Sequence, residues 1–240
     1  MSYLPFSLAK NLSNVENFPP DEPYETVVMP IGFTPWRADK EFIAFERLVD
    51  EYSMCGIGKL NFIWNMVAES AKLNDGIFME VGSWRGGSGA IIAKRLKFMR
   101  RDNPVYLCDT FTGVVKAGDK DNRYVGGEHA DTSIETVREL MKKHELDNVH
   151  ILQGIFPEDT GDVLSDKKIA FVHIDVDVYQ SGKDVFSFVW PRLINGGIIV
   201  FDDYGTPSTQ GMKKFVDEIK DLPDRIFISN IMGQGVIIKK

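Results

Sequence analysis

Short apolar, β-branched runs alternate with amphipathic stretches along most of this chain. Five runs, at 77–82, 105–109, 149–154, 169–175 and 196–202, read as buried strands. Helical periodicity fills the gaps at 88–101, 133–144, 158–165 and 181–193, and returns at 208–221. Strands that are apolar throughout and alternate with helices predict a parallel sheet covered on both faces. Upstream, 38–54 and 57–73 read as two amphipathic helices, the first with Phe42, Phe45, Leu48, Val49 and Tyr52 on its apolar face. The chain ends D-R-I-F-I-S-N-I-M-G-Q-G-V-I-I-K-K, two short strands around a glycine-containing turn, so the last strand is expected antiparallel to its partner.

Six of the eleven prolines fall within residues 1–35, which predicts an extended arm over the body or a neighbouring subunit. The expected division is therefore 1–74, an arm and helices serving as packing, lid or oligomer contact, and 75–240, the α/β domain. A homodimer is the expected assembly. With 240 residues the chain can bury roughly 70–75% of its unfolded surface without disulfide staples. Cys55 and Cys108 lack metal-ligand spacing and read as buried free thiols of a reducing compartment. The N-terminus has no signal-peptide pattern and no run approaches a membrane span, so a cytoplasmic location without a membrane partner is expected. A net charge of −7 argues against nucleic acid as a partner.

Candidate chemistry collects at the carboxyl ends of the strands, where an open parallel sheet binds its ligands. Asp175 ends the fourth strand; Asp202 and Asp203 end the fifth. Three hard oxygen donors suit a divalent cation, Mg²⁺ or Ca²⁺. After the first strand comes Glu80-Val81-Gly82-Ser83-Trp84-Arg85-Gly86-Gly87-Ser88-Gly89, a glycine-rich turn into a helix. Its spacing is not the G-x-G-x-x-G of diphosphate cofactors and suits a ligand with a carboxylate and no phosphate, such as S-adenosylmethionine (SAM). Asp109, at the tip of strand two, is placed to accept ribose hydroxyls, and Gln153-Gly154-Ile155 after strand three to bracket adenine. The candidate cofactor set is Glu80, Gly82, Ser83, Ser88, Asp109, Thr110, Ser133, Gln153, Gly154, Ile155 and Asp175.

With E-V-G-S-W-R-G-G-S at 80–88, C-D-T-F-T-G at 108–113, H-I-D-V-D-V-Y at 173–179 and W-P-R-L-I-N-G-G-I-I-V-F-D-D-Y-G at 190–205, the chain resembles the macrocin O-methyltransferase family over about 55–240. The resemblance implies a Rossmann-like class I methyltransferase fold with an antiparallel last strand. It implies SAM and Mg²⁺ as cofactors and a small hydroxyl-rich acceptor, a sugar or natural product. It also implies that Asp175, Asp202 and Asp203 hold the metal, with Asp175 proposed as base. Two departures stand out: Gln180 replaces an acid of the family's D-G-D-x-Y-E-S, and Ile155 stands where an aromatic is common. Related catechol-type enzymes carry a lysine base three residues after the first metal aspartate; here that position is Val178. Candidate bases are then Asp175, His129 and His173. A metal-dependent hydroxylase-type protein and a non-enzymatic SAM-fold module are the alternatives.

Overall fold

A computed structural model describes residues 33–240. The strands are β1 (Ile77–Val81), β2 (Val105–Asp109), β3 (Val149–Gln153), β4 (Ile169–Ile174), β5 (Leu193–Phe201), β6 (Arg225–Ser229) and β7 (Gly235–Lys239). They form one sheet in the order β3-β2-β1-β4-β5-β7-β6. The first five are parallel, and β7 inserts antiparallel between β5 and β6. The expected antiparallel last strand is thus present. Strand order reverses direction between β1 and β4, which opens a crevice at their carboxyl ends.

The helices are α1 (Lys40–Val49), α2 (Ile57–Ser70), α3 (Gly87–Phe98), α4 (Ile134–Lys143), α5 (Tyr179–Val189) and α6 (Gln210–Ile219). Asp39 starts α1 by accepting the Phe42 amide, and its other oxygen takes the Trp64 indole N–H. The predicted helix at 38–54 is shorter, tightening into a 3₁₀ turn at Asp50–Tyr52. At 158–165 the expected helix is absent; only a 3₁₀ turn at Gly161–Leu164 forms. There Asp159 folds back onto the Ile155 amide, and Gly161 lies against Pro157 and Phe188, where a side chain would collide. A local side-chain bond of this kind competes with helix formation.

The sheet's two faces carry two cores. On one, Phe78, Leu107 and Phe171 pack beneath α1–α4, with Phe42, Leu60 and Trp64 fully buried among them. On the other, Met79, Val172, Ile199 and Phe201 meet α5 and α6 through Phe186, Met212 and Phe215. The helices α1 and α2 therefore share a core with the sheet. The proline-rich arm lies outside the described residues. Among the described residues, no helix is long and apolar enough to cross a membrane.

Alternation along the strands has one consequence for the site. Phe78 and Phe171 face α1–α4, and so do the positions two further on, Glu80 and His173, which the β1–β4 register sets side by side. A carboxylate and an imidazole thus lie in the middle of an apolar layer, both fully buried.

Candidate active site

Backbone bonds at the carboxyl edge extend the ladders by one residue and fix the crevice floor. Gly82 donates to Cys108 (2.9 Å), Gly154 to Asp109 (2.9 Å), Asp175 to Val81 (2.9 Å) and Asp202 to Ile174 (3.0 Å). Gly82 has φ +85°, and a Cβ there would lie 1.8 Å from the Asp175 carbonyl oxygen. Only glycine allows the turn after β1 to cross the end of β4 so closely. Asp109 ties this turn down, accepting the Trp84 amide at 2.8 Å and the Phe111 amide at 2.6 Å. Burial nevertheless raises its pKa, only partly offset by those amides.

A cavity of about 260 Å³ opens above this floor. Of the predicted residues, Gly82, Asp109, Thr110, His129, Gly154, Asp175, Asp202 and Asp203 line it. The others lie off its wall. Gln153 is exposed, and Ile155 is tied by its amide to Asp159. Ser133 caps α4 by accepting the Thr136 amide (3.1 Å), while Ser83 and Ser88 are buried beneath the glycine-rich turn. Glu80 turns into the core, with Oε1 at 2.8 Å from His173 Nδ1 and Oε2 lacking a hydrogen-bond partner.

One wall is acidic: Asp175, Asp177, Asp202 and Asp203 all border the cavity. Asp202 is held by several protein donors. Lys59 Nζ donates to its Oδ2 (2.6 Å) and to its carbonyl (3.0 Å), and Gln234 Nε2 donates to Oδ1 (2.8 Å), with His173 Nε2 3.4 Å away. Burial opposes ionisation of Asp202, but His173 and Lys59 prevail and hold its pKa below the usual carboxylate range. Burial likewise opposes the Lys59 charge, and Asp202 reverses that, raising its pKa. The other three acids lack such support. Burial and then neighbouring carboxylates push Asp175 and Asp203 well up, and burial raises Asp177.

An excess of buried carboxylates over buried cations is what a hard divalent ion would relieve, so the donor set fits Mg²⁺. Asp175 and Asp202 offer atoms within 4.8 Å of one another, together with Cys55 and His173. Asp203 falls outside that group, and its Oδ2 accepts the Asp177 amide (2.9 Å). The softer pair is poorly suited to ligation. His173 has a carboxylate at each ring nitrogen, and these raise its pKa to about 10 despite burial, which favours the protonated ring over one offering a lone pair to a metal. It is fully buried off the cavity wall, which removes it from the candidate bases. Burial and then Asp202 keep the Cys55 thiol protonated, and it points at Asp175 Oδ2 (3.7 Å).

The opposite wall comes from 114–131, which has no regular structure yet is strapped down. Lys116 pairs with Glu158 and, at 2.7 Å, with Asp184; Ser181 Oγ donates to the Val115 carbonyl (2.8 Å). Asp121 accepts the Tyr179 amide (2.9 Å), capping α5, which has no side-chain cap of its own. The strap brings Tyr124 and His129 to the cavity, the hydroxyl 3.2 Å from His129 Nε2. His129 and Asp177 both hold left-handed backbone, with φ +63° and +64°, a conformation that functional sites retain at a cost.

Lys59, Cys55, Tyr124 and Gln234 were not foreseen among the site residues. Lys59 sits in the first turn of a helix whose pattern reads as packing, and nothing local marks its partner 143 positions away.

A seven-stranded sheet of this order, with its cavity over β1, β2 and β4, narrows the choice of family. The Macrocin-O-methyltransferase (TylF) family model matches residues 42–237. The chain belongs to that family. This macrocin O-methyltransferase relative is accordingly an O-methyltransferase, of an enzyme class that uses SAM, and the non-enzymatic alternative falls. It is 33% identical over 185 residues to mycinamicin III 3''-O-methyltransferase of Micromonospora griseorubida, covering 71% of this chain and 70% of that protein. It is 29% identical over 206 residues to 8-demethyl-8-(2,3-dimethoxy-alpha-L-rhamnosyl)-tetracenomycin-C 4'-O-methyltransferase of Streptomyces olivaceus (77% and 74% covered). Among solved structures, the O-methyltransferase NovP superposes with a TM-score of 0.66 at 28% identity, covering 79% of this chain and 82% of that one. A Bacillus cereus O-methyltransferase in complex with SAH shares the fold, with a TM-score of 0.56 at 17% identity.

Proposed function

We propose that this family member transfers a methyl group from SAM to a hydroxyl of a sugar or other hydroxyl-rich natural product, assisted by Mg²⁺. The observation that carries the reading is the acidic wall facing the Gly82–Asp109–Gly154 floor across one cavity. The relatives named for oxygens of mycinamicin III and of a rhamnosyl-bearing tetracenomycin supply the acceptor class. In this reading the floor seats the cofactor, with Asp109 toward the ribose and the start of α3 toward the carboxylate. Asp175, Asp202 and Asp203 hold the cation, which when bound supplies Lewis acidity to an acceptor hydroxyl.

The protein's own part is to orient and to move a proton. Orientation of two bound reactants is worth up to roughly 7–11 kcal/mol of the barrier. His129 is assigned as the base: it borders the cavity and its Nε2 meets a tyrosine hydroxyl rather than a carboxylate. Tyr124 orients the ring, and Val114, Val115 and Phe156 exclude water from the transfer path.

Calorimetric titration with SAH and NAD, followed by methyl transfer to sugar diols with and without EDTA, tests the reading. SAH binding without NAD binding, and transfer lost on chelation and restored by Mg²⁺, are expected. Replacing His129 by Gln should lower kcat about 10²–10⁴-fold while SAH affinity is retained. Chelation-resistant transfer would refute the metal's role, and an unchanged kcat in H129Q would refute the base.

A further inference from the structure

Lys59 reaches the acidic wall from outside the strand-tip motifs that carry the other site residues. It lies in the first turn of α2, its side chain is 19% exposed, and it forms an ion pair of 2.6 Å with Asp202. The same ammonium also binds the Asp202 carbonyl at 3.0 Å, so it grips one residue at two points. Gln234 and His173 take the second carboxylate oxygen. No other acid on the wall is held this way. Asp175 takes a contact from the Cys55 thiol at 3.7 Å, and Asp203 spends one oxygen on a backbone amide.

We propose that Lys59 is a positioning residue, a resident cation that fixes Asp202 and competes with an external divalent ion for its charge. The wall carries four carboxylates, and Lys59 is the lysine among its lining residues. A fixed unit charge within a few ångströms of a divalent ion repels it strongly in a desolvated site. Lys59 thereby leaves Asp175 and Asp203 as the freer donors and keeps divalent affinity lower than four acids alone would give. A moderate affinity lets the cation leave with the product, whereas an uncompensated acidic wall would trap it. The α2 helix becomes part of the catalytic centre rather than packing beside it.

The inference rests on the metal reading above, and its test separates the two. Mn²⁺ binding is measured by electron paramagnetic resonance on the full chain, for wild type, Lys59→Met, Lys59→Gln and Lys59→Arg. Retained SAH affinity checks that each variant folds. K59Q keeps a donor for Asp202 without the charge and covers the case in which K59M does not fold. K59M and K59Q should bind Mn²⁺ at least about tenfold more tightly, and K59R within about threefold of wild type. Binding in the neutral variants alone would also support competition by Lys59. Equal or weaker binding by both neutral variants, with a wild type that binds Mn²⁺, overturns the role of Lys59 and leaves the metal reading standing. Absence of binding in every protein overturns both.

Discussion

Replacing Gly82 by Ala should damage stability and site geometry together. The residue holds φ +85°, and the new Cβ would sit 1.8 Å from the Asp175 carbonyl oxygen and 2.7 Å from its carbonyl carbon. Left-handed backbone costs a non-glycine residue about 1–2 kcal/mol. Overpacking adds about 1–3 kcal/mol, near the upper end here because the obstacle is backbone in the central strand region. The combined loss is about 2–5 kcal/mol, or on the order of 5–15 °C in Tm for a domain of this size. To relieve the contact, Asp175 must move by more than an ångström, carrying its carboxylate off the acidic wall. Urea unfolding gives the free energy and calorimetry the SAH and Mn²⁺ affinities, with Gly118→Ala as control. Gly118 has open space around its Cβ position, and its variant should stay within about 0.5 kcal/mol of wild type. A G82A protein as stable as that control, with unchanged ligand affinities, would refute the account of the crossing.

Other substitutions test other parts. Trp64→Ala should cost about 3–5 kcal/mol yet keep one cooperative urea transition, since Trp64 is fully buried in the core shared by α1, α2 and the sheet; two separated transitions would show that these helices fold independently. Gln234→Leu removes donors and acceptors from Asp202 and Asn230 in a fully buried setting, and a loss of about 1–3 kcal/mol in thermal or urea unfolding is expected. Asp121→Ala deletes the borrowed cap of α5 and should cost about 0.5–2 kcal/mol, with faster proteolytic cleavage between 114 and 131. Unaltered cleavage would mean that the strap does not depend on Asp121.

What could be read from the chain divides along physical lines. The central strands were legible because β1 and β4 are buried on both faces and so written as nearly unbroken apolar runs. The acids were legible because such a run stops at the sheet edge, and a carboxylate placed just there has few structural uses. Gly82 was legible for a related reason, lying one residue beyond a strand and ahead of a helix. The burial of Glu80 against His173 was not legible, because its side-chain direction follows from sheet alternation and its partner from β1–β4 register, neither of which a local motif records. Gln153 shows the converse: on the edge strand β3 its side chain is exposed, and only the next residue, Gly154, lines the cavity. The missing helix at 158–165 goes with local contacts, the Ile155 amide on Asp159 and the close packing of Gly161 on Pro157 and Phe188, that leave no mark on the hydrophobic pattern. Lys59 and Gln234 were invisible because their meaning lies wholly in tertiary contacts with Asp202.

Those two contacts also set when the enzyme can become active during its own synthesis. Asp202 is clamped by a residue from the second helix and by one from the turn before the final strand. A ribosome-bound chain that has exposed residue 203 already carries every acid of the wall, yet it lacks Gln234 and the strand that β5 pairs with on that side. Until residues 234–239 emerge, that edge of β5 stays unpaired and Asp202 is held by its earlier partners alone. Methyl transfer should therefore require that segment: chains truncated before residue 234 should lack it, and stalled-ribosome assays of successive lengths should show activity only once residues 234–239 have left the tunnel.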